Sequence, residues 1–408
     1  MKCRHCGTDV TLTLIDLGSA PPSNAYLTKL TMHRPEKWFP LKVLVCETCW
    51  LVQAEAYSRA AELFNDEYAY FSSFSDIWLA HAKKYVQDMT ERFGLTTDSH
   101  VVEVASNDGY LLQYFKRNGI PCLGVEPTAG TAAAARMKGI ETLEEFFGVG
   151  LAKRLAEQGR QADLMAANNV LAHVPDINDF SAGFAALLKP QGVATFEFPH
   201  LMHLIGQNQF DTIYHEHFSY LSFTTVVKAF NVNGLSVFDV EELDTHGGSL
   251  RVFAQRKDAG SHPISSKVIE LINREASAGM NRAAYYQGFQ AHADKVKNDF
   301  LIFLLDAKRQ GKTVVAYGAA AKGNTLMNYA GVRPDLISFV VDRNPAKQGK
   351  SMPGSRIPIV GEERVRQKKP DYIVILPWNL RDEVMVQLAY AREWGGKFVT
   401  AVPKLEIA

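Results

Sequence analysis

The sequence predicts an α/β protein in three parts. Three observations predict it. Two Cys-x-x-Cys pairs, Cys3/Cys6 and Cys46/Cys49, bracket a short N-terminal module. A run of alternating strand-like and helix-like segments begins at Val101, and a second begins at Lys312. Such alternation implies parallel sheets covered by helices on both faces, hence two Rossmann-like domains.

The chain has 408 residues, 47% of them hydrophobic, enough for several cores. Lys and Arg number 44, as do Asp and Glu, so no global field favours nucleic acid or an anionic membrane. No segment approaches the ~20 apolar residues of a membrane span, and Met1–Cys6 lacks the apolar core of a signal peptide. The expectation is a cytoplasmic, soluble protein acting on a small molecule, with no nucleic acid or membrane partner.

The module is placed at residues 1–65. Each cysteine pair supplies two thiolates at the spacing a tetrahedral ion requires, and two such knuckles close a structural four-cysteine zinc site. Paired knuckles in a reducing compartment argue for metal over disulfides. Strand-like segments lie at 12–17 and 41–45, on either side of a Pro21-Pro22-Ser23-Asn24 turn. The gap between knuckles is longer than in the commonest zinc ribbons, so an insertion must be accommodated.

A connector rich in tyrosine and serine follows, with Tyr68, Tyr70 and Ser72. It suits a lid or a sugar contact, or ordinary packing between domains. Helical periodicity covers 77–93. The central domain is placed at 66–260. Strand Val101–Val104 runs into the turn Ala105-Ser106-Asn107-Asp108-Gly109. Strands follow at 122–125, 140–143, 163–167 and 193–198, with helices between them. After a polar, aromatic interruption at 201–223 come a helix at 224–231 and strands at 235–240 and 250–255.

The turn after the first strand is where such sheets hold nucleotide-like ligands. No Gly-x-Gly-x-x-Gly or Walker motif is present, so nothing cradles a phosphate there. S-adenosylmethionine (SAM) fits better. Its amino-acid end meets Glu103, Ala105, Asn107 and Asp108. Its ribose meets Glu126 after the second strand. Its adenine meets Phe146 and Phe147, and Asn168 and Asn169 close the methionine end.

The knuckles, Tyr68-Ala-Tyr70-Phe-Ser-Ser, Glu103-Val-Ala-Ser-Asn-Asp-Gly109 and Glu126-Pro127 resemble motifs of the nucleotide-sugar C-methyltransferases. So do Asn168-Asn169-Val-Leu-Ala-His173, Tyr214-His215-Glu216-His217, His246-Gly247-Gly248 and Tyr317-Gly318-Ala-Ala-Ala-Lys322. The resemblance runs along nearly the whole chain. It implies a class I methyltransferase domain and a C-terminal nucleotide-sugar domain, here placed at 261–408. It implies SAM as methyl donor, S-adenosylhomocysteine as product, and a nucleoside-diphosphate 4-keto-6-deoxysugar as substrate, methylated at carbon 3.

Methylating carbon requires a base to take a C–H proton beside a ketone and a group to hold the enolate. The resemblance gives His217 the base role. Tyr214 would donate to the keto oxygen, Glu216 would orient His217 or contact the sugar, and His173 would touch the sugar or enolate. His246, Gly247 and Gly248 are expected to position substrate, or to form a plain turn. Tyr317, Gly318 and Lys322 would bind the diphosphate, and Asn344, Lys347, Trp378 and Asn379 the diphosphate or base.

Two positions depart from the family pattern. Ala105 stands in the place of a glycine, which is harmless if that residue avoids positive φ. His215 stands where Asp is common, and is expected to point away from the site. The rival readings are an NAD-dependent nucleotide-sugar oxidoreductase and a zinc-ribbon binding factor with a degenerate methyltransferase fold. The protein is expected to be a monomer or weak homo-oligomer.

Overall fold

A computed structural model of the chain describes residues 1–57 and 71–408. Tyr68 and Tyr70 therefore lie outside the described residues. Three sheets organise the protein.

The N-terminal sheet contains β1 (Leu12–Ala20), β2 (Phe39–Val45) and β3 (Val52–Ala54), all antiparallel. Its fourth strand, β9 (Ser219–Tyr220), comes from the middle of the chain and pairs with Val52 and Gln53. The polar interruption at 201–223 is thereby stitched onto the cysteine module.

The central sheet has seven strands: β4 (Val101–Val104), β5 (Cys122–Val125), β6 (Thr142–Leu143), β7 (Ala162–Asn168), β8 (Leu188–Pro199), β10 (Leu235–Leu243) and β11 (Ser249–Arg256). Their order is β6-β5-β4-β7-β8-β11-β10, and β11 alone runs antiparallel to its neighbours. All four residues of β4 are buried, as a strand covered on both faces demands. Chain direction across the sheet reverses at β4, so the turn at 105–109 opens into the crevice. Strand β6 is shorter than the expected 140–143 because the Ile140 amide closes the preceding helix on Ala135.

The C-terminal sheet contains β12 (Val314–Tyr317), β13 (Val340–Val341), β14 (Ile359–Val360), β15 (Tyr372–Ile375), β16 (Lys397–Thr400) and β17 (Glu406–Ile407). The order β14-β13-β12-β15-β16-β17 is parallel up to the last strand, which is antiparallel. Its switch point at β12 again places the following turn at a crevice.

Between the second and third sheets lie three helices, Ser266–Ala278, Ala283–Tyr286 and Phe289–Arg309, separated at Gly279 and Gly288, whose φ values are 88° and 87°. One apolar core joins Ile15 and Val43 of the module to Phe210 and Ile213, to Phe289 and Phe300, and to Val314 and Val340. Burying such side chains contributes about 1.5–3 kcal/mol each, so the module is locked to the C-terminal domain by shared packing. Among the described residues no helix is long and apolar enough to cross a membrane.

Candidate active site

The four cysteine sulfurs lie within 4.8 Å of one another. Cys3 and Cys49 Sγ are 3.5 Å apart, and Cys6 and Cys46 Sγ 3.6 Å. A tetrahedron with Zn–S bonds of about 2.3 Å has edges of roughly 3.8 Å, so the donor set fits zinc.

A cavity of about 650 Å³ lies where the module, the central domain and the C-terminal domain meet. Seven of the expected SAM residues line it: Ala105, Asn107, Glu126, Phe146, Phe147, Asn168 and Asn169. The turn is held from below, with the Asn107 amide donating to Glu126 Oε2 at 2.9 Å and the Ala105 amide to the Val125 carbonyl at 2.8 Å. Asn107 Oδ1 in turn accepts from the Ser72 amide at 2.9 Å, which brings Ser72 to the cavity wall.

Ala105 has φ 58°, in the left-handed region. The condition under which it would be harmless is not met. An L-residue there costs roughly 1–2 kcal/mol, which the packed turn bears. Asn107 (φ 50°), Asn169 (φ 54°) and His246 (φ 55°) share this conformation at the same cavity. Two expected SAM contacts do not reach the wall. Glu103 is wholly buried, and desolvation pushes its carboxyl well up. Asp108 turns toward the Ser73 amide and Lys138.

The pocket residues fit SAM. Among the described residues both polar atoms of the buried Asn168 amide lack a partner, so the wall keeps hydrogen-bonding capacity for a ligand. Glu126 accepts from the Asn107 amide and from the amide and hydroxyl of Thr128. Of about four lone-pair positions on its carboxylate, one remains for a ribose hydroxyl.

All four expected catalytic residues line the cavity. The helical turn Phe210–Thr212 ends at Ile213 and leads through Tyr214 to β9. His217 Nδ1 lies 2.9 Å from the Thr212 carbonyl, and His173 Nδ1 lies 2.8 Å from the Glu216 carbonyl. A carbonyl only accepts, so each Nδ1 carries the proton and each Nε2 the lone pair. The two rings stand edge to face with centroids 4.6 Å apart, and the Tyr214 ring is 4.0 Å from His217. Burial pushes the His173 imidazole down to about 4. Burial and neighbouring His173 hold His217 well below the usual range, so both are neutral near pH 7.

Glu216 does not orient His217, since the Thr212 carbonyl does so. The Glu216 carboxylate instead accepts from Asn24 Nδ2 at 2.9 Å, and burial lifts it to about 7. His215 lies on the far side, its Nε2 3.2 Å from the Phe39 and Pro40 carbonyls.

The C-terminal domain brings Lys322, Lys347 and Asn379 to the cavity. Lys322 Nζ donates to Asn379 Oδ1 at 3.0 Å and sits 4.4 Å from the Trp378 ring centre. Desolvation lowers it to about 8, against the pull of Asp211. Lys347 Nζ donates to the Ala319 carbonyl at 2.9 Å.

The remaining expected substrate residues stand behind the wall. Tyr317 donates to Gln387, Asn344 Oδ1 accepts from the Ala346 amide, and Trp378 Nε1 donates to Asp211 at 2.8 Å. Gly318, Gly247 and Gly248 are packing positions. A Cβ on Gly247 would come within 2.4 Å of the Trp378 ring, one on Gly248 within 2.6 Å of His203, and one on Gly318 within 2.5 Å of Pro377. Of the His246-Gly247-Gly248 group only His246 lines the cavity, beside Trp78 and Asn169.

The reading of the sequence missed Asn24 and Trp78. Trp78 reads as one apolar position of an amphipathic helix, yet it faces the cavity from Asp76–Phe93, stacked on His81 and Tyr110.

Residues 3–64 match a zinc binding domain, 78–240 a methyltransferase domain, and 244–403 a C-methyltransferase C-terminal domain. The C-methyltransferase NovU of Streptomyces niveus is 36% identical over 403 residues, covering 99% of this chain and 96% of its own. A ubiquinone biosynthesis O-methyltransferase from Bordetella avium is 27% identical over 115 residues, 28% of this chain and 46% of its own. A SAM-dependent methyltransferase structure from Clostridium acetobutylicum covers 44% of this chain and 91% of its own, at 12% identity and TM-score 0.36. The SAM-bound magnesium protoporphyrin IX methyltransferase from Synechocystis covers 45% and 82%, at 16% identity and TM-score 0.33. The full-length relationship sets aside both the oxidoreductase and the binding-factor readings. The chain belongs to the C-methyltransferase family, as a SAM-dependent enzyme with an N-terminal zinc-binding domain.

Proposed function

We propose that the enzyme methylates the carbon next to the 4-keto group of a nucleoside-diphosphate 6-deoxysugar, at carbon 3. The observation that carries this reading is His217, neutral and held by its Nδ1–H on the Thr212 carbonyl beside Tyr214 and His173. It lines one cavity together with the residues proposed to hold SAM and with Lys322 and Lys347, which supports the reading.

Bound SAM supplies an electrophilic methyl group. His217 Nε2 takes the proton from the carbon alpha to the ketone, and the C–H electron pair passes into the enolate. Tyr214 donates to the enolate oxygen, and His173 lies against the sugar beside it. Glu216 accepts from a sugar hydroxyl. The enolate carbon would then take the methyl group, the C–C bond forming as the methyl–sulfur bond breaks and S-adenosylhomocysteine leaves with the electron pair, and the proton passes from His217 to solvent. Lys322, Lys347 and Asn379 hold the diphosphate end, where a buried ammonium gains most from an anionic partner. Cavity zinc is unnecessary to this scheme, and the four-cysteine site is structural.

The test is a panel of TDP-, GDP- and UDP-linked 4-keto-6-deoxysugars incubated with enzyme and SAM and read by mass spectrometry. One of them should gain one methyl group in place of hydrogen, with fragmentation placing it at carbon 3. Methylation on oxygen only, or of no 4-keto sugar, would contradict the proposal.

A further inference from the structure

The insertion between the cysteine knuckles has a destination. Leaving β1 at Ala20 and returning at Phe39, it crosses to the C-terminal domain. Leu27 and Ser351 exchange main-chain hydrogen bonds of 2.9 and 2.8 Å. The Tyr26 hydroxyl donates to the Ala319 carbonyl at 2.6 Å, and Glu36 accepts from Arg356 at 2.9 Å and from the Gly354 amide at 2.7 Å. Asn24 sits in this arm where it passes the cavity, and lines it. A turn fixes the residue, with the Ala25 amide donating to the Pro22 carbonyl and the Tyr26 amide to the Asn24 carbonyl.

We propose that Asn24 is a positioning residue for methyl transfer: its amide ties one oxygen of Glu216, so that the other is held for a substrate hydroxyl. The module that binds zinc would thus complete the substrate site from 192 residues away in sequence. The inference rests on the ketosugar reading above, because it takes Glu216 to face the sugar.

The chemistry favours this pairing. Glu216 is buried, and a buried carboxylate without donors turns neutral. Asn24 favours the ionised form through its main-chain amide and its side-chain amide, against a burial that lifts the group to about 7, and only the side-chain donor is removed by substitution. Beside it, burial pushes Tyr26 and Tyr220 upward, so they stay protonated, and pushes His173 and His217 downward, so they stay neutral. Lys322, lowered to about 8, loses its proton on the basic side, which leaves Glu216 to set the acid limb.

The experiment measures kcat and kcat/KM against pH at saturating SAM for wild type, Asn24→Ala, Asn24→Asp, Glu216→Gln and the double variant Asn24→Ala/Glu216→Gln. A hydrogen bond to a charged group implies that Asn24→Ala lowers kcat by about 10- to 100-fold. SAM affinity should be unchanged and the acid limb of the profile should move upward. The double variant should be no slower than Glu216→Gln alone. Should Asn24→Ala fail to fold, Asn24→Asp keeps the side-chain shape, and its second carboxyl should move the acid limb upward as well. Multiplying losses in the double variant, or an unmoved acid limb, would overturn the role of Asn24 while leaving Glu216 in place. Full activity of Glu216→Gln would overturn the inference together with the reading beneath it.

Discussion

Ala105 holds a backbone conformation that alanine rarely adopts. At φ 58° it occupies backbone space suited to glycine, at a turn that lines the cavity. Ala105→Gly should relieve the left-handed penalty, less the extra entropy that glycine loses on folding. The net gain is about 0.5–1 kcal/mol. A thermal melt should show a higher Tm with SAM affinity preserved; a lower Tm would contradict the assigned strain. At this scale the sequence is legible where partners are local. The knuckles, with two cysteines three positions apart, announce their sulfur cluster. The tautomer of His217 is not legible, because the Thr212 carbonyl that sets it depends on how the chain folds through Phe210–Thr212. Asn24 is still less so, as its partner Glu216 lies in another domain.

At the scale of elements, the site depends on a strand pairing that no periodicity reveals. Two residues, Ser219 and Tyr220, join the segment that carries Tyr214, Glu216 and His217 to the sheet of the cysteine module. Arg4, within the first knuckle, adds a hydrogen bond of 3.1 Å to the Phe218 carbonyl. Structural zinc in small modules is bound with about 10–16 kcal/mol of apparent free energy, which is folding free energy. Stripping the metal with a chelator should therefore abolish methyl transfer while the central domain still binds SAM. Calorimetry and metal analysis on the same sample check this; full turnover in metal-free protein would contradict it. Long elements were legible from their pattern, as with helix Asp76–Phe93, which runs from the Ser75 cap to Gly94. Short ones carry little pattern: Val340–Val341 is a strand of two residues, preceded by a turn in which the Leu336 and Ile337 amides donate to the Arg333 carbonyl. The glycines of 246–248 signalled close approach correctly, but what approaches is Trp378 of the facing domain. Gly247→Ala should cost roughly 1–3 kcal/mol through overpacking alone. A denaturant midpoint shows the loss, and an unchanged midpoint would contradict the close approach.

The whole molecule presents two switch-point crevices to one another, with the module as a third wall. This arrangement buries titratable groups that a single domain would leave wet. His173 and His246 are both lowered by desolvation from 6.5 to about 4. A histidine with a depressed folded value adds stability above its unfolded value that is lost as pH falls through the folded one. Their contribution is thus present above about pH 6.5 and drains away toward pH 4. His246→Asn, a type that accepts positive φ, should flatten the fall in Tm across that window. An equally steep fall in the variant would remove His246 from the account.

The central claim is that His217 removes a proton from carbon. In heavy water, wild-type enzyme with a 4-keto sugar nucleotide and S-adenosylhomocysteine in place of SAM should exchange the alpha hydrogen for deuterium, seen by proton NMR. His217→Gln should lose both this exchange and methyl transfer while binding SAM as wild type does. Exchange at the wild-type rate in His217→Gln would contradict the account.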